Sequence, residues 1–385
     1  MAKATMATRT EIIKRYEKAY RKANKKEKGE ILDNICLSTG LSRSRVKHIF
    51  SQKISKTAKI SKRGRKKKYD AQVAKALEEI WIYMDYACGR RLVAGMEDMI
   101  LALEDCGEIN FSKEVLTKLK EISASTADRL LAKVRKSLTL KGKSTTKPGT
   151  LLKSNIPIRL GTEWDENIPG YVEIDLVAHC GDTTAGDYVN TLDVTDIFSG
   201  WTETQAVLNK AQIHVITALE NIQTHQPFDF LGIDSDNGSE FINAHLYRWC
   251  NKNNIHFTRT RPGRKNDNCH VEQKNWHIVR RNIGYGRYEG QEAVDIMNEY
   301  YSLLRLYSNF FSPQTKLIEK IRNGARIKKI YDKPKTPYRR LIDSNQVEDN
   351  IKTILTETFA SLNPAALKRD MANILSRLEA LVVQR

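Results

Sequence analysis

The sequence predicts a multidomain α plus α/β protein: N-terminal helix-turn-helix modules, then a mixed-sheet α/β core, then a helical C-terminal region. Three observations carry this. Positive charge is concentrated at the N-terminus, apolar residues recur at helical spacing through residue 140, and after Pro169 the texture changes to short β-rich segments.

The charge comes first. Of a net +18 over 385 residues, residues 1–70 hold 22 Lys/Arg against 6 Asp/Glu, an excess of 16, leaving the rest nearly neutral. Such an excess is the footprint of a polyanion-binding module, because neutralised phosphates release counterions. A solvated basic tail is the plainer alternative, but apolar residues are interleaved at helical spacing. No apolar run approaches the length of about 18 residues that spans a bilayer. The N-terminus lacks a signal-peptide stretch, and the six scattered cysteines form no C-x-x-C pair. These features suit a reduced, cytoplasmic protein without a membrane partner.

Residues 1–58 read as a helix-turn-helix domain. In EILDNICLSTGLSRSRVKHIF, Ile31, Leu32, Ile35 and Cys36 form one apolar group and Leu41, Val46, Ile49 and Phe50 a second, with Gly40 between them. Glycine takes the positive φ of the turn. Ser42 is a plausible N-cap, and Arg43, Ser44, Arg45 and Lys47 would project from the second helix toward a major groove. Residues 59–70 form a basic linker. Arg63, Arg65 and Lys66 there are expected to contact DNA phosphates, with insertion of Arg63-Gly64-Arg65 into a minor groove as the alternative. Residues 71–140 read as a second helical DNA-binding domain, with Leu77, Ile80, Trp81 and Met84 on one face and a second helix-turn-helix near SASTADRLL. Residues 141–168 read as a linker.

In 169–315, GYVEIDLVAHCG, YVNTLDVTDIF and GWTETQAVL are consecutive strands. A helix over about 210–224, a strand FDFLGIDS, a helix over about 241–253, a strand IHFTRT and a long helix from about His270 complete an α/β core. Residues 316–385 are expected to be helical. The last helix opens at Asn363-Pro364, and Leu367, Met371, Ile374, Leu378 and Leu381 follow at heptad-like spacing, which suits either dimerisation or docking onto the chain's own core.

Three acidic positions stand out. Asp175 lies inside a strand, where an ionised carboxylate is costly unless compensated. Asp236 ends the fourth strand, and Glu272 stands at the start of a helix. Converging carboxylates are tolerated when divalent cations lie between them, and oxygen-only ligation suits Mg²⁺ or Mn²⁺. Two such ions support in-line phosphoryl transfer without a covalent nucleophile. No H-E-x-x-H, G-x-S-x-G or G-x-x-x-x-G-K-[ST] is present, so no nucleotide cofactor is expected. Asp234 alternates with Asp236, so only one of the two is expected to point into the site, and Asp236 is preferred. Asp193 and Asp196 are alternatives to Asp175. Cys250, His256, Cys269 and His270 fit no common zinc spacing, and Trp201, Trp249 and Trp276 read as packing residues.

The strand YVEIDLVAHCG, the block IDSDNGSEF and the segment RPGRKNDNCHVEQKN resemble the catalytic core of retroviral integrases and insertion-sequence transposases, the DDE superfamily with a ribonuclease H-like fold. KRGRKKKY, CGRRL and SASTADRLL upstream also resemble that bacterial transposase group. The resemblance covers about residues 10–330. It implies that Asp175, Asp236 and Glu272 are catalytic metal ligands for two Mg²⁺ (or Mn²⁺) ions, and that Asn237 and Gly238 shape the turn holding Asp236. Lys265, Asn266 and Asn268 would lie in a loop that meets DNA. Many relatives carry a basic residue seven positions after the glutamate. Here that position is Val279, and Arg280 and Arg281 just beyond are assigned to DNA instead. No His/Cys zinc module precedes the core.

The implied activity is that of a transposase. It would bind the terminal inverted repeats of an insertion sequence, cut the element ends by metal-dependent hydrolysis, and join the 3′-OH ends to target DNA. It would work as a dimer or higher oligomer on double-stranded DNA. The alternatives are a nuclease that only cuts and a transposase-derived DNA-binding regulator without catalysis.

Overall fold

The computed structural model describes residues 6–54, 68–136, 167–236, 238, 240–241, 243–260, 269–323 and 326–383. The chain divides into two units, Met1–Lys68 and Tyr69–Arg385.

The first unit holds helices α1 (Met6–Lys22), α2 (Lys25–Thr39) and α3 (Arg43–Ile54). A capping box opens α2: the Asn24 side chain accepts from the N–H groups of Lys26 and Glu27, and the Asn24 N–H donates to Glu27 at 2.9 Å. Gly40 closes the helix at φ 68°, a left-handed conformation that a Cβ would strain. Ile13, Leu32, Ile35, Val46 and Phe50 form the core, and Tyr20 stacks on Phe50 with ring centroids 4.4 Å apart. Burial of Val46 and Phe50 turns the opposite side of α3 to solvent.

The second unit begins with α4 (Ala71–Tyr83), α5 (Gly89–Asp105), α6 (Lys113–Lys120) and α7 (Ala124–Lys136). Asp70 and Ser112 cap α4 and α6 through the N–H groups of Val73 and Val115. Then come β1 (Tyr171–Ala178), β2 (Asn190–Asp196), β3 (Thr202–Val207), α8 (Gln212–His225), β4 (Gly232–Ser235), α9 (Ala244–Lys252) and β5 (His256–Arg259). Helix α10 (Cys269–Lys274) widens into a π-helical turn over Asn275–Arg280 and continues as α11 (Arg281–Ile283), and the long α12 (Gly290–Phe311) follows.

Among the described residues the main sheet has the order β3-β2-β1-β4-β5, antiparallel from β3 to β1 and parallel from β1 to β5. The register sorts its two faces. Val172, Ile174, Leu192, Val194, Ile233 and Phe257 point one way, into a core with Val215, Leu219 and Ile222 of α8 and Leu246 of α9. Glu173, Asp175, Asp193, Thr195, Asp234 and Thr258 share the other face, which α10 overlies at β1 and β2. The outer edge of β3 is closed by α12. Asn298 brackets the backbone of Ala206 (2.7 and 3.1 Å), and Asn309 brackets that of Thr202 (2.9 Å in both directions). An open row of strand amides is thus satisfied by side-chain amides.

The helices α4–α7 do not stand apart. Trp81, Leu92, Met99 and Leu131 lie in one continuous apolar cluster with Tyr300, Tyr301 and Phe310 of α12 and with the C-terminal helices. The C-terminal region differs from the all-helical expectation. It opens with a hairpin, β6 (Leu317–Asn323) and β7 (Arg326–Tyr331), before α13 (Pro337–Ile342), α14 (Asp349–Ser361) and α15 (Pro364–Glu379). Asn363 caps α15 and Pro364 opens it. The apolar stripe Leu367, Met371, Ile374 and Leu378 is buried against the chain's own core, packing on α12.

Candidate active site

Asp175 sits in β1 and Asp236 follows the last residue of β4. The parallel register pairs Glu173 with Asp234 and Ile174 with Ser235, so Asp175 and Asp236 come next in step on neighbouring strands. They share a face, because side chains two residues apart on a strand point the same way. The sequence expectation is that only one of Asp234 and Asp236 points into the site, with Asp236 preferred. Both belong to the acidic face, and depth separates them. Asp234 is fully buried, accepting from the Thr258 hydroxyl at 2.6 Å, whereas Asp236 lies where the strand gives way to a turn.

The Asp236 turn is closed by its own side chain, which accepts from the Gly238 N–H at 2.7 Å. A Cβ at position 238 would come within 2.8 Å of Asp236 Oδ1 and 2.7 Å of the Glu240 carboxyl carbon, so only glycine leaves the carboxylate in place. Burial pushes the Asp236 carboxyl above the usual range and Glu240 adds to it, while the Gly238 N–H pulls the other way. Asp175 accepts from the Leu176 N–H at 2.8 Å and from Asn275 Nδ2 at 2.5 Å.

The third position, Glu272, belongs to α10, three residues before Asn275; its side chain lies outside the described residues. The helix is docked by the Val271 N–H, which donates to the buried Glu173 carboxylate at 3.1 Å. Lys274 donates to Gly200 O at 2.8 Å and to Gln314 Oε1 at 2.6 Å. Asp193, directly opposite Asp175 in the register, is fully buried and takes the Thr195 hydroxyl at 3.1 Å. Burial pushes its carboxyl up to about 8, Lys274 holds it down, and burial pushes the Lys274 ammonium down to about 7. Asp193 thus lies beside Asp175 without replacing it. Asp196 takes a structural part: its carboxylate accepts from the N–H and hydroxyl of Ser199 (2.7 and 2.6 Å) and from the Gly170 N–H (2.9 Å), fixing the β2–β3 turn.

Several expected DNA contacts meet a different setting. Ser44, Arg45 and Lys47 are exposed on α3, but Arg43 is ion-paired with Asp33 of α2. Arg63, Arg65, Lys66, Asn237, Lys265, Asn266 and Asn268 lie outside the described residues. Arg280 is turned inward: its guanidinium donates to Ala178 O at the end of β1 (2.8 Å) and lies 4.9 Å from the Tyr285 ring centroid. A group so engaged is a clamp on the sheet, not a hand for phosphate. Arg281 is exposed and donates to Asp85 O. Trp201 and Trp249 are buried, whereas Trp276 is 58% exposed, unlike the packing residue anticipated. Asn275 was missed, although it stands in the motif segment HVEQKN. Burial pushes the Cys250 thiol up to about 12 and His256 is exposed, while the Cys269 and His270 side chains lie outside the described residues.

The arrangement supplies carboxylate oxygens from two neighbouring strands, Asp175 within β1 and Asp236 just past β4, which fits a hard divalent cation. No set of three His, Cys, Asp or Glu side chains able to hold a metal occurs among the described residues, which exclude the Glu272 side chain.

Residues 166–265 match the family described as the integrase core domain, a span that includes Asp175 and Asp236 and stops before Glu272. Over 338 residues the chain is 37% identical to uncharacterized protein y4rM of Sinorhizobium fredii (strain NBRC 101917 / NGR234), covering 87% of this chain and 95% of that one. The chain belongs to the DDE transposase and retroviral integrase superfamily. The mixed sheet is thus the ribonuclease H-like core of an integrase-type polynucleotidyl transferase. Solved structures similar to this superfamily member include the HTLV-2 integrase catalytic core in complex with magnesium. That match has 15% identity and a TM-score of 0.30, covering 39% of this chain and 93% of that one. Another is the BIV integrase catalytic core, with 16% identity and a TM-score of 0.28, covering 44% and 91%. No helix among the described residues is long and apolar enough to cross a membrane.

Proposed function

We propose that the chain is the transposase of an insertion sequence, binding the element's terminal inverted repeats, cutting its ends and joining the 3′-OH ends to target DNA. The observation that carries this reading is the register of β1 and β4. Ile174 pairs with Ser235, so Asp175 within β1 and Asp236 just past the end of β4 follow in step, and α10, the helix that includes Glu272, packs on β1 and β2.

In this reading Asp175, Asp236 and Glu272 hold two Mg²⁺ or Mn²⁺ ions. When bound, the metal pair would activate the attacking oxygen and stabilise the leaving one. The chain's own residues set the geometry. Gly238 keeps the Asp236 carboxylate in its turn, Asn275 holds Asp175 from the helix side, and the Glu173–Val271 bond seats α10 on the sheet. In the first unit, Ser44, Arg45 and Lys47 on α3 would meet the repeat in a major groove, with the basic stretch through Arg63, Arg65 and Lys66 following along phosphates. Two element ends must be handled together, so a dimer or larger assembly on DNA belongs to the proposal.

The test is an assay with labelled DNA from the gene's flanks and Mg²⁺ or Mn²⁺, scoring nicked and joined strands. Asp236→Asn and Glu272→Gln are expected to abolish both products and to leave binding intact. Cutting without joining would make the chain a nuclease. Tight binding with no cutting in either metal would make it a regulator and end the catalytic assignment.

A further inference from the structure

Beside the acidic face the second unit encloses a cavity of about 70 Å³ whose wall includes Arg91 of α5, Lys274, His277, Gln314, Lys316 and Arg340. Among the described residues no carboxylate lines it. Arg91 and Arg340 both lie within Coulomb range of Lys274. Some of this charge is committed: Arg340 is paired with Asp332 at 2.6 Å, and Lys274 donates to Gly200 O and Gln314 Oε1. The bond from Lys274 fixes the Gln314 amide so that Oε1 is used, and its buried Nε2 meets no acceptor among the described residues. A concave wall of cations plus an amide donor without an acceptor is the chemistry of an anion site, where fixed donors replace the anion's hydration.

We propose that this cavity binds a backbone phosphate of the DNA strand being processed. The inference rests on the transposase reading for the identity of the anion's carrier. The wall takes in Ser199 and Gly200 of the β2–β3 turn, and Lys274 joins it to α10; the next residue, Asn275, touches Asp175. On the transposase reading the anion is a DNA phosphate away from the reacting one, held by Arg91. Arg91 comes from α5, so the amino-terminal helices of this unit would complete the grip on the substrate strand.

The test uses the full chain with Arg91→Gln and the charge-retaining Arg91→Lys. Thermal unfolding is followed in sodium sulfate against sodium chloride at equal ionic strength, with sulfate as the probe. Binding of the flanking-DNA fragment without divalent metal is measured across salt concentration. The expected result is sulfate stabilisation in the wild type and in Arg91→Lys that disappears in Arg91→Gln. Alongside it, the slope of log affinity against log salt falls by about 0.9 in Arg91→Gln, the loss of one phosphate contact. Sulfate stabilisation lost in Arg91→Gln with an unchanged DNA slope would show a site for free anions and overturn the DNA assignment. No sulfate effect in the wild type would overturn the anion site itself. If sulfate binds as expected but the wild type never cuts DNA, the transposase reading fails and the anion site stands.

Discussion

The Asn275 amide donates to the Asp175 carboxylate across 2.5 Å, from the residue at which α10 widens into its π-helical turn. π-helical turns often mark functional positions, and here the turn begins where a side chain reaches the acidic face. Asn275→Ala is expected to lower strand cleavage by about 10–100-fold, the usual cost of removing a partner that orients a ligand. Affinity for the DNA fragment should hold. Equal losses in cleavage and binding would mean that Asn275 contacts DNA instead of orienting Asp175.

Trp276, next in sequence, is exposed. An indole face beside a DNA-processing site suits stacking on an unpaired base. Trp276→Ala is expected to weaken binding to a fragment with a single-stranded end by about 1–3 kcal/mol, with no change in thermal unfolding. An unchanged affinity would remove Trp276 from the interface.

Lys274 and Asp193 hold each other's protonation in a fully buried setting. Lys274→Met removes the group that draws the Asp193 carboxyl down and leaves Gly200 O and Gln314 Oε1 without their donor. The expected cost is about 1–3 kcal/mol in chemical denaturation. Adding Asp193→Asn should recover part of it, and strict additivity of the two changes would show that they are not coupled.

Asp196 gives the pH dependence a sign. Burial pushes its carboxyl up to about 6 in the fold, against the pull of its bonds to Ser199 and Gly170, while an unfolded aspartate titrates near about 3.9. Folding therefore favours the protonated form. The contribution is complete below about pH 4 and is lost as pH rises through about 6, a change of about 3 kcal/mol. Unfolding free energies at pH 4.5 and 7 should show this slope, and Asp196→Asn should flatten it. The same slope in the variant would assign it to other groups.

The sheet was legible because its strands alternate and because Asp175 is a charge inside an apolar strand, a cost that asks for a reason. Strand periodicity puts Asp234 and Asp236 on one face and could not separate them; their depth does, with Asp234 buried on Thr258 and Asp236 at the turn. The hairpin of β6 and β7 was hidden by its lysines and arginines, which suggested basic helix. The signal was nevertheless there: LIEKIRN and RIKKIY are separated by two residues that begin with glycine, a hairpin signature. Arg280 shows the limit of reading by neighbourhood, because adjacency to Val279 says nothing about which way a side chain turns on a widened helix. The sharing of one core by α4–α7 and the C-terminal helices joins residues some 300 positions apart, and no local pattern announces such a contact.

That shared core has a consequence for synthesis. Leu77 and Leu378 belong to the same apolar cluster, so the larger unit cannot close until the last helix has left the ribosome. The first unit has its own core in Ile13, Ile35 and Phe50 and waits for nothing. A message cut short before α15 would therefore yield an unsealed catalytic unit behind an already finished three-helix head. Loss of α15 would open the larger unit and leave the first intact.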